Sequence, residues 1–317
     1  MTALIAIKGN VEQATKLSDY IESFIIYRQI GDNTANTYRS QLGKFLDNCK
    51  NPLSSAYIHH WIESLKDNYA PLTIKSMVET VKGFLQYLND HDLAHNKAYL
   101  QVIYKYEYTG GNHKRVPKNK FMEMLDNCDI TTYNGIRDYA LLRLLQSTGM
   151  RIHEPLKCTI GDIIVHESYD VDERGEYIPL KIPLLSYIQK GNRQAFVSLF
   201  PKTYDAIKSY LAMRSDGSNK NAPLFLSHSS NTKGNRVLTQ NSAEVMLRKR
   251  FNNVGLVGRE YSAHSFRYTQ AMDVLEQTGD ESLASRQLRH LSPKTIQYYV
   301  QEIRAKQNAK SMLDLEY

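Results

Sequence analysis

The pattern of hydrophobic and polar positions divides the chain into a helical first half and a mixed second half. In the first half, apolar residues recur at helical spacing in short stretches. The longest stripe begins at Ile74, shortly after Pro71, and runs to Leu88. Proline is well suited to the first turn of a helix, so Pro71 marks a helix start. The pattern predicts a compact bundle of four or five helices over residues 1–108.

The second half alternates between helical and strand-like stretches. The turn signal Gln189–Arg193 joins two strand-like runs as a hairpin. Strands are predicted near Ile163–Val165, Lys181–Tyr187 and Ala195–Leu199, and helices at 135–148, 201–213, 241–253, 264–278 and 281–289. Gly149 is expected to cap the first of these helices. The acidic segment 166–180 is interpreted as a connection between strands, with no function assigned. The predicted fold class is mainly α with a small antiparallel β-sheet.

A glycine-rich and basic stretch separates the two halves. Residues 109–120 combine glycines, a proline and four Lys or Arg residues, which is typical of an exposed linker. The predicted organisation is therefore a helical domain at 1–108, a basic linker at 109–120 and a second domain at 121–317. The linker is either a solvated tether or a segment that lies on a DNA backbone through Lys114, Arg115 and Lys118.

Composition favours a polyanionic partner without requiring one. The net charge is +7 and the pI is about 9.0, values that many soluble proteins also reach. No apolar run is long enough for a membrane span, and the N-terminus lacks the features of a signal peptide. The three cysteines, Cys49, Cys128 and Cys158, are too widely spaced for a disulfide framework or a zinc pattern. We expect a cytoplasmic protein without metal or cofactor.

Two pairs of residues have the spacing of neighbours on a helix face. Arg151 precedes Glu154 by three positions, and His264 precedes Arg267 by three at a predicted helix start. The first pair is either an ordinary surface ion pair or a carboxylate that orients a functional guanidinium. The second is either a capping histidine beside a solvated arginine or a phosphate site at a helix N-terminus.

Three further residues complete a candidate chemistry. Lys190 lies in the hairpin turn, and His290 and Tyr299 bracket a short polar segment near the C-terminus. A tyrosine needs neighbouring positive charge to attack at neutral pH, and arginine forks match phosphate oxygens. A tyrosine grouped with arginines, histidines and a lysine can attack a phosphodiester without a metal ion. Taken alone, Lys190 also fits an ordinary exposed lysine in a turn. Because the chain has 22 tyrosines, residue type alone does not mark any one of them as a nucleophile.

A basic run lies on the helix predicted at 241–253. Arg248, Lys249 and Arg250 are consecutive there, which fits either a helix in a DNA groove or a solvated basic face.

Four fragments together resemble one family. TGMRIHE at Thr148–Glu154, QKGNR at Gln189–Arg193, HSFR at His264–Arg267 and RHLSPKTIQYY at Arg289–Tyr299 resemble the tyrosine recombinase (phage-integrase) family over about 130–300. The resemblance implies an N-terminal core-binding domain and a mixed α+β catalytic domain. By matching, the catalytic residues are Arg151, Lys190, His264, Arg267, His290 and Tyr299, with Glu154 in support.

The register of the nucleophile and several departures follow from the same matching. The usual spacing from the late histidine selects Tyr299 over Tyr298, with Gln297 in the expected place. Family members commonly have Gly before that histidine, where this chain has Arg289. They often have His after the second arginine and Gly before the lysine, where this chain has Tyr268 and Gln189. No catalytic group is removed.

The resemblance implies site-specific recombination through a 3′-phosphotyrosine intermediate on double-stranded DNA. It further implies a homotetramer on paired sites, with exchange of the tail after Tyr299 between protomers. The short N-terminal region favours a simple Xer-like or resolvase-like enzyme. The alternatives are a metal-dependent nuclease or transposase, a non-catalytic DNA-binding accessory protein, and a type IB topoisomerase.

Overall fold

The chain separates into two compact units, each with its own apolar core. The computed structural model describes residues 4–5, 15–94, 97–105, 113–171, 173–189, 192–227 and 236–283. The units are Met1–Thr109 and Gly110–Tyr317. Residues 113–120, which fall inside the predicted linker, belong to the second unit.

The first unit is a helical bundle, as its hydrophobic spacing predicts. A short antiparallel pair, β1 (Leu4–Ile5) and β2 (Thr15–Lys16), precedes a 3₁₀ turn at Leu17–Tyr20. The helices are α1 (Ile21–Tyr27), α2 (Asp32–Asn48), α3 (Ser55–Leu65), α4 (Pro71–Asp90) and α5 (Ala98–Gln101).

The core of the first unit is built from aromatic side chains on several helices. Phe45 of α2 meets Trp61 of α3 edge-on, with ring centroids 4.9 Å apart. Phe24 of α1 contacts Phe84 of α4 in the same way at 5.5 Å. Edge-to-face contacts of this kind add to the stability gained from burying the rings. Pro71 occupies the first turn of α4, as predicted.

The described part of the second unit combines helices with small antiparallel sheets, and residues 281–283 are also helical. The helices are α6 (Lys118–Asp126), α7 (Tyr133–Thr148), α8 (Pro201–Ala212), α9 (Gln240–Asn253) and α10 (Ala263–Thr278). A three-stranded sheet consists of β3 (Ile163–Val171), β4 (Tyr177–Gln189) and β5 (Arg193–Ser198), and a minor pair of β6 (Leu226–Ser227) and β7 (Arg236–Val237).

The hairpin of β3 and β4 is longer than the sequence pattern predicts. Val171 pairs with Tyr177, so most of the acidic segment 166–180 is paired strand rather than a connection. Tyr169 and Tyr177 are 69% and 77% exposed, and both faces of this part of the hairpin carry apolar and charged side chains. The strands here therefore lack the alternation of apolar and polar residues by which a strand is predicted from sequence. The second hairpin closes as predicted, with Gln189 opposite Arg193.

Helix α7 is the centre of the second unit. Ala140, Leu141, Leu144 and Leu145 have no exposed surface, and buried residues occur all around the helix. Thr132 caps its start by accepting a hydrogen bond from the Gly135 amide, and Gly149 ends it in the left-handed conformation at φ 61°. A helix buried on every side shows little amphipathic pattern, which is why its core role is not visible from periodicity alone.

These elements confirm the predicted fold class of mainly α structure with small antiparallel sheets. In the part of the chain that the structure describes, no helix combines the length and apolarity needed to cross a bilayer.

Candidate active site

The turn that follows α7 positions Arg151 through Glu154. The Arg151 amide donates to Glu154 Oε2 at 2.7 Å, and its guanidinium Nη1 donates to Oε1 at 3.1 Å. The Glu154 side chain is 1% exposed, whereas that of Arg151 is 23% exposed. A buried carboxylate therefore holds the backbone and the side chain of one arginine, while part of the guanidinium stays accessible to a ligand.

Arg267 is fixed to the same turn from helix α10. Its Nη1 donates to the carbonyl oxygen of Gly149 at 2.8 Å, and the residue is 9% exposed. Gly149 lies two positions before Arg151. One short segment thus carries the first arginine and binds the second, so the two guanidinium groups are organised by the same backbone.

His264 lies in the first turn of α10. Ser262 caps this helix: its hydroxyl accepts from the His264 amide at 3.3 Å, and its own amide donates to the Ser265 hydroxyl at 3.1 Å. The positive end of the helix dipole at such a start favours an anion. His264 and Arg267 follow the predicted spacing on this helix.

A cleft of about 150 Å³ lies between the turn after α7, the start of α10 and helix α9. Its polar lining includes Arg151, His153, Gln240, Glu244, Arg248 and His264. Cationic and imidazole groups outnumber the carboxylate, so the cleft is suited to a phosphate group.

The cleft lowers the basicity of its histidines. Desolvation is the largest cause of the lowered pKa of His264, although the residue as a whole is exposed. The charges of His113, Arg267 and Arg151 lower it further, against an opposing effect of Glu244. Desolvation likewise lowers the pKa of His153. A histidine with a lowered pKa is neutral at pH 7 and can accept a proton.

A residue that sequence reasoning missed lies against His264. The His113 ring stacks on the His264 ring, with centroids 5.2 Å apart and an interplanar angle of 29°. His113 lies in a segment read as a linker, and nothing in the local sequence distinguishes it from a solvated histidine.

Two of the predicted DNA-binding residues form ion pairs inside the second unit. The Lys114 ammonium lies 3.3 Å from Glu260 Oε1. The Arg115 guanidinium binds the carboxylates of Asp273 and Glu276 on α10. Lys118 is exposed at the start of α6.

The basic run on α9 divides into three environments. Arg248 is exposed and lines the cleft with Arg151, and Lys249 is exposed beside a separate depression. Arg250 instead donates to Asp138 Oδ2 at 2.8 Å, and its side chain is 14% exposed. Asp138 also binds Arg137, so Arg250 belongs to a largely buried charge network.

The structure therefore brings together Arg151, Glu154, His264 and Arg267. Lys190, His290 and Tyr299, together with the rival Tyr298 and the tail that follows, lie outside the described residues.

Comparison with known proteins identifies the family. A profile of the phage integrase family matches residues 114–305. The tyrosine recombinase XerD of Rickettsia conorii is 23% identical over 295 residues, covering 89% of this chain and 92% of the relative. The tyrosine recombinase XerC of Pseudomonas putida is 24% identical over 285 residues, covering 86% of each.

Solved structures share the fold. The XerH recombinase in a post-cleavage complex with a palindromic difH substrate superposes with a TM-score of 0.68 at 20% identity, covering 95% of this chain and 86% of that one. A lambda integrase dimer bound to a COC′ core site gives a TM-score of 0.64 at 13% identity, covering 89% and 75%. Because the family profile spans well over half of the chain, the protein belongs to the phage integrase family and is an Xer-like, tyrosine-type site-specific DNA recombinase.

Proposed function

We propose that Tyr299 is the nucleophile of this recombinase and forms a 3′-phosphotyrosine link with DNA. The tyrosine oxygen attacks the scissile phosphorus in line, the new O–P bond forms, and the bond to the 5′ oxygen breaks. The observation that carries the proposal is that Arg151 and His264 line one cleft at the start of α10, while Arg267 is bound to Gly149 in the turn that leads to Arg151.

Each group has a role that follows from its chemistry. The Arg151 and Arg267 guanidinium groups bind the non-bridging oxygens and stabilise the charge that develops on them. Neutral His264 takes the proton of the tyrosine, and Lys190 gives a proton to the departing 5′ oxygen. His290 donates a further hydrogen bond. The covalent link conserves the energy of the broken bond, so a 5′ hydroxyl of another strand can reseal it without metal or nucleotide.

The partner we propose is double-stranded DNA bound by a homotetramer on paired sites. Relatives such as XerH were solved in complexes with their DNA substrates, which supports this partner. We assign the first unit to a core-binding domain and the second unit, which includes residues 113–120, to the catalytic domain. The tail after Tyr299 docks on a neighbouring protomer, and the reaction belongs to the cytoplasm.

A nicked suicide substrate tests the nucleophile. The wild-type protein should form a covalent protein–DNA adduct that persists in EDTA. Tyr299→Phe should abolish the adduct while DNA binding survives, and Tyr298→Phe should retain it. Loss of the adduct with Tyr298→Phe alone would assign the nucleophile to the neighbouring residue, and an adduct in both variants would remove both tyrosines from the role.

A substrate with a 5′ phosphorothiolate tests Lys190 separately. A thiolate leaving group does not need a proton. Lys190→Ala should therefore slow cleavage of the normal substrate and spare the sulfur-containing one. Equal slowing on both substrates would contradict an acid role.

A further inference from the structure

A short segment anchors His113 against helix α10. We define the anchor segment as residues 113–116. The Lys114 amide donates to the Glu260 carbonyl at 3.2 Å, and the Val116 amide donates to the Thr269 hydroxyl at 2.8 Å. Val116 is 2% exposed within the core of the second unit. The backbone on the C-terminal side of His113 is thus hydrogen-bonded both before and along α10.

Ion pairs reinforce this attachment further along the same helix. Arg115 binds Asp273 and Glu276, which lie on successive turns of α10. His113, Val116 and Arg115 therefore contact α10 near its start, its middle and its last turns. The helix that carries His264 and Arg267 is held by the anchor segment along most of its length.

We propose that His113 is a positioning residue for His264, whose stacked ring fixes the imidazole in the orientation that takes the proton of the nucleophile. The inference rests on the proposed function of His264. An imidazole at an exposed helix start can adopt several rotamers, and a partner ring packed on its face restricts them. A general base must lie within hydrogen-bond reach of its proton, so this restriction bears directly on the rate.

The stack also controls the environment in which His264 titrates. The groups that face His264 are His113 from the anchor segment, Arg151 from the turn after α7, Arg267 from α10 and Glu244 from α9. Burial lowers the pKa of His113 itself, so both rings are neutral at pH 7. The stacked His113 ring shields one face of His264 from water, and His113 also lowers the pKa of His264 electrostatically, so both effects of this neighbour act in the same direction.

The sign of the pH dependence follows. His264 must be neutral to act as a base, and its pKa is below the ordinary 6.5. Cleavage should therefore persist into mildly acidic solution. Removing the His113 ring hydrates His264 and raises its pKa, so the acidic limb of the pH–rate profile moves to higher pH.

The experiment measures adduct formation from the suicide substrate in single-turnover conditions across the pH range. His113→Ala should slow the reaction at pH 7 about tenfold and move the acidic limb upward, because a displaced catalytic group costs rate steeply. His113→Phe keeps a neutral stacked ring. This variant should recover most of the wild-type rate, and the acidic limb of its pH–rate profile should return close to the wild-type position. His166→Ala, at an exposed histidine on β3, is the matched control and should behave as wild type.

A second variant tests the inference without replacing His113 itself, so an effect of that replacement on folding cannot explain its result. Arg115→Gln loosens the anchor segment from α10 and should move the acidic limb in the same direction. The inference is overturned if neither variant moves the limb, or if His113→Phe is as impaired as His113→Ala. The proposed function fails separately, through an adduct that survives in Tyr299→Phe, whatever the His113 variants do.

Discussion

The buried carboxylate of Glu154 contacts Arg151 at two points, through the main-chain amide and through the guanidinium. The first contact fixes the turn and the second fixes the direction of the side chain. Arg151 therefore enters the cleft already oriented, and the entropy lost in orienting its side chain is lost during folding.

Replacing Glu154 should damage the reaction more than DNA binding. Glu154→Ala frees the guanidinium and leaves the Arg151 amide without its acceptor, so the cleavage rate should fall about 10²-fold. Glu154→Gln keeps an oxygen that can accept one of the two hydrogen bonds and should have an intermediate rate. Single-turnover adduct formation measures both, and urea unfolding separates loss of rate from loss of folded protein. Equal losses of rate and DNA affinity would contradict a purely orienting role.

Gly149 and Gly279 form a matched pair of helix caps. Comparing them tests whether the cap beside the candidate active site affects cleavage beyond its effect on stability. Both cap helices in the left-handed region, at φ 61° and 64°. Alanine at either position should cost about 1–2 kcal/mol of folding free energy, because a Cβ disfavours this conformation. Only Gly149→Ala should also slow cleavage, because the Gly149 carbonyl binds Arg267. A comparable slowing in Gly279→Ala would show that the rate follows stability alone.

The basic residues of α9 should separate by salt dependence. Arg248→Ala should weaken DNA binding and reduce the slope of log K against log salt by about one phosphate contact. Arg250→Ala should leave that slope unchanged and instead lower the unfolding free energy by about 1–3 kcal/mol, because the buried Asp138 loses a partner. DNA binding titrated at several salt concentrations, with urea unfolding, measures both. A reduced slope for Arg250→Ala would return this residue to the DNA interface.

Cys128 and Cys158 should make stability fall in alkaline solution. Burial raises the pKa of Cys128 to about 11 and that of Cys158 to about 12. The thiols of the unfolded chain ionise near pH 9. The stability that the two buried thiols contribute is therefore fully present below pH 9, and it is lost as the pH rises through their pKa values in the folded protein. The unfolding free energy should therefore drop more between pH 8 and pH 10 in wild type than in Cys128→Ala/Cys158→Ala. An identical drop in both proteins would contradict this assignment.

The sequence predicts elements well where the signal is local. The cap at Gly149, the start at Pro71 and the closing pair of Gln189 with Arg193 follow from short-range backbone chemistry, and the structure has all three. The predicted arrangement of His264 and Arg267 on one helix face is likewise found in the structure, because one helix carries both residues. Such features depend on neighbours in the chain rather than on the tertiary fold.

The sequence predicts poorly where the partner is distant. Arg115 looks solvated because its carboxylate partners, Asp273 and Glu276, are far along the chain. His113 could not be linked to His264 for the same reason. Arg250 is indistinguishable in sequence from Arg248, yet Asp138 on another helix draws it into a buried network.

The placement of Arg151 and Gly149 at the end of α7 has a consequence for how activity is lost. Helix α7 is enclosed by the core of the second unit, and such elements open only when the whole domain opens. The arginine pair is therefore protected from fraying. We therefore expect denaturation to displace both arginines in the same cooperative step that unfolds the second unit.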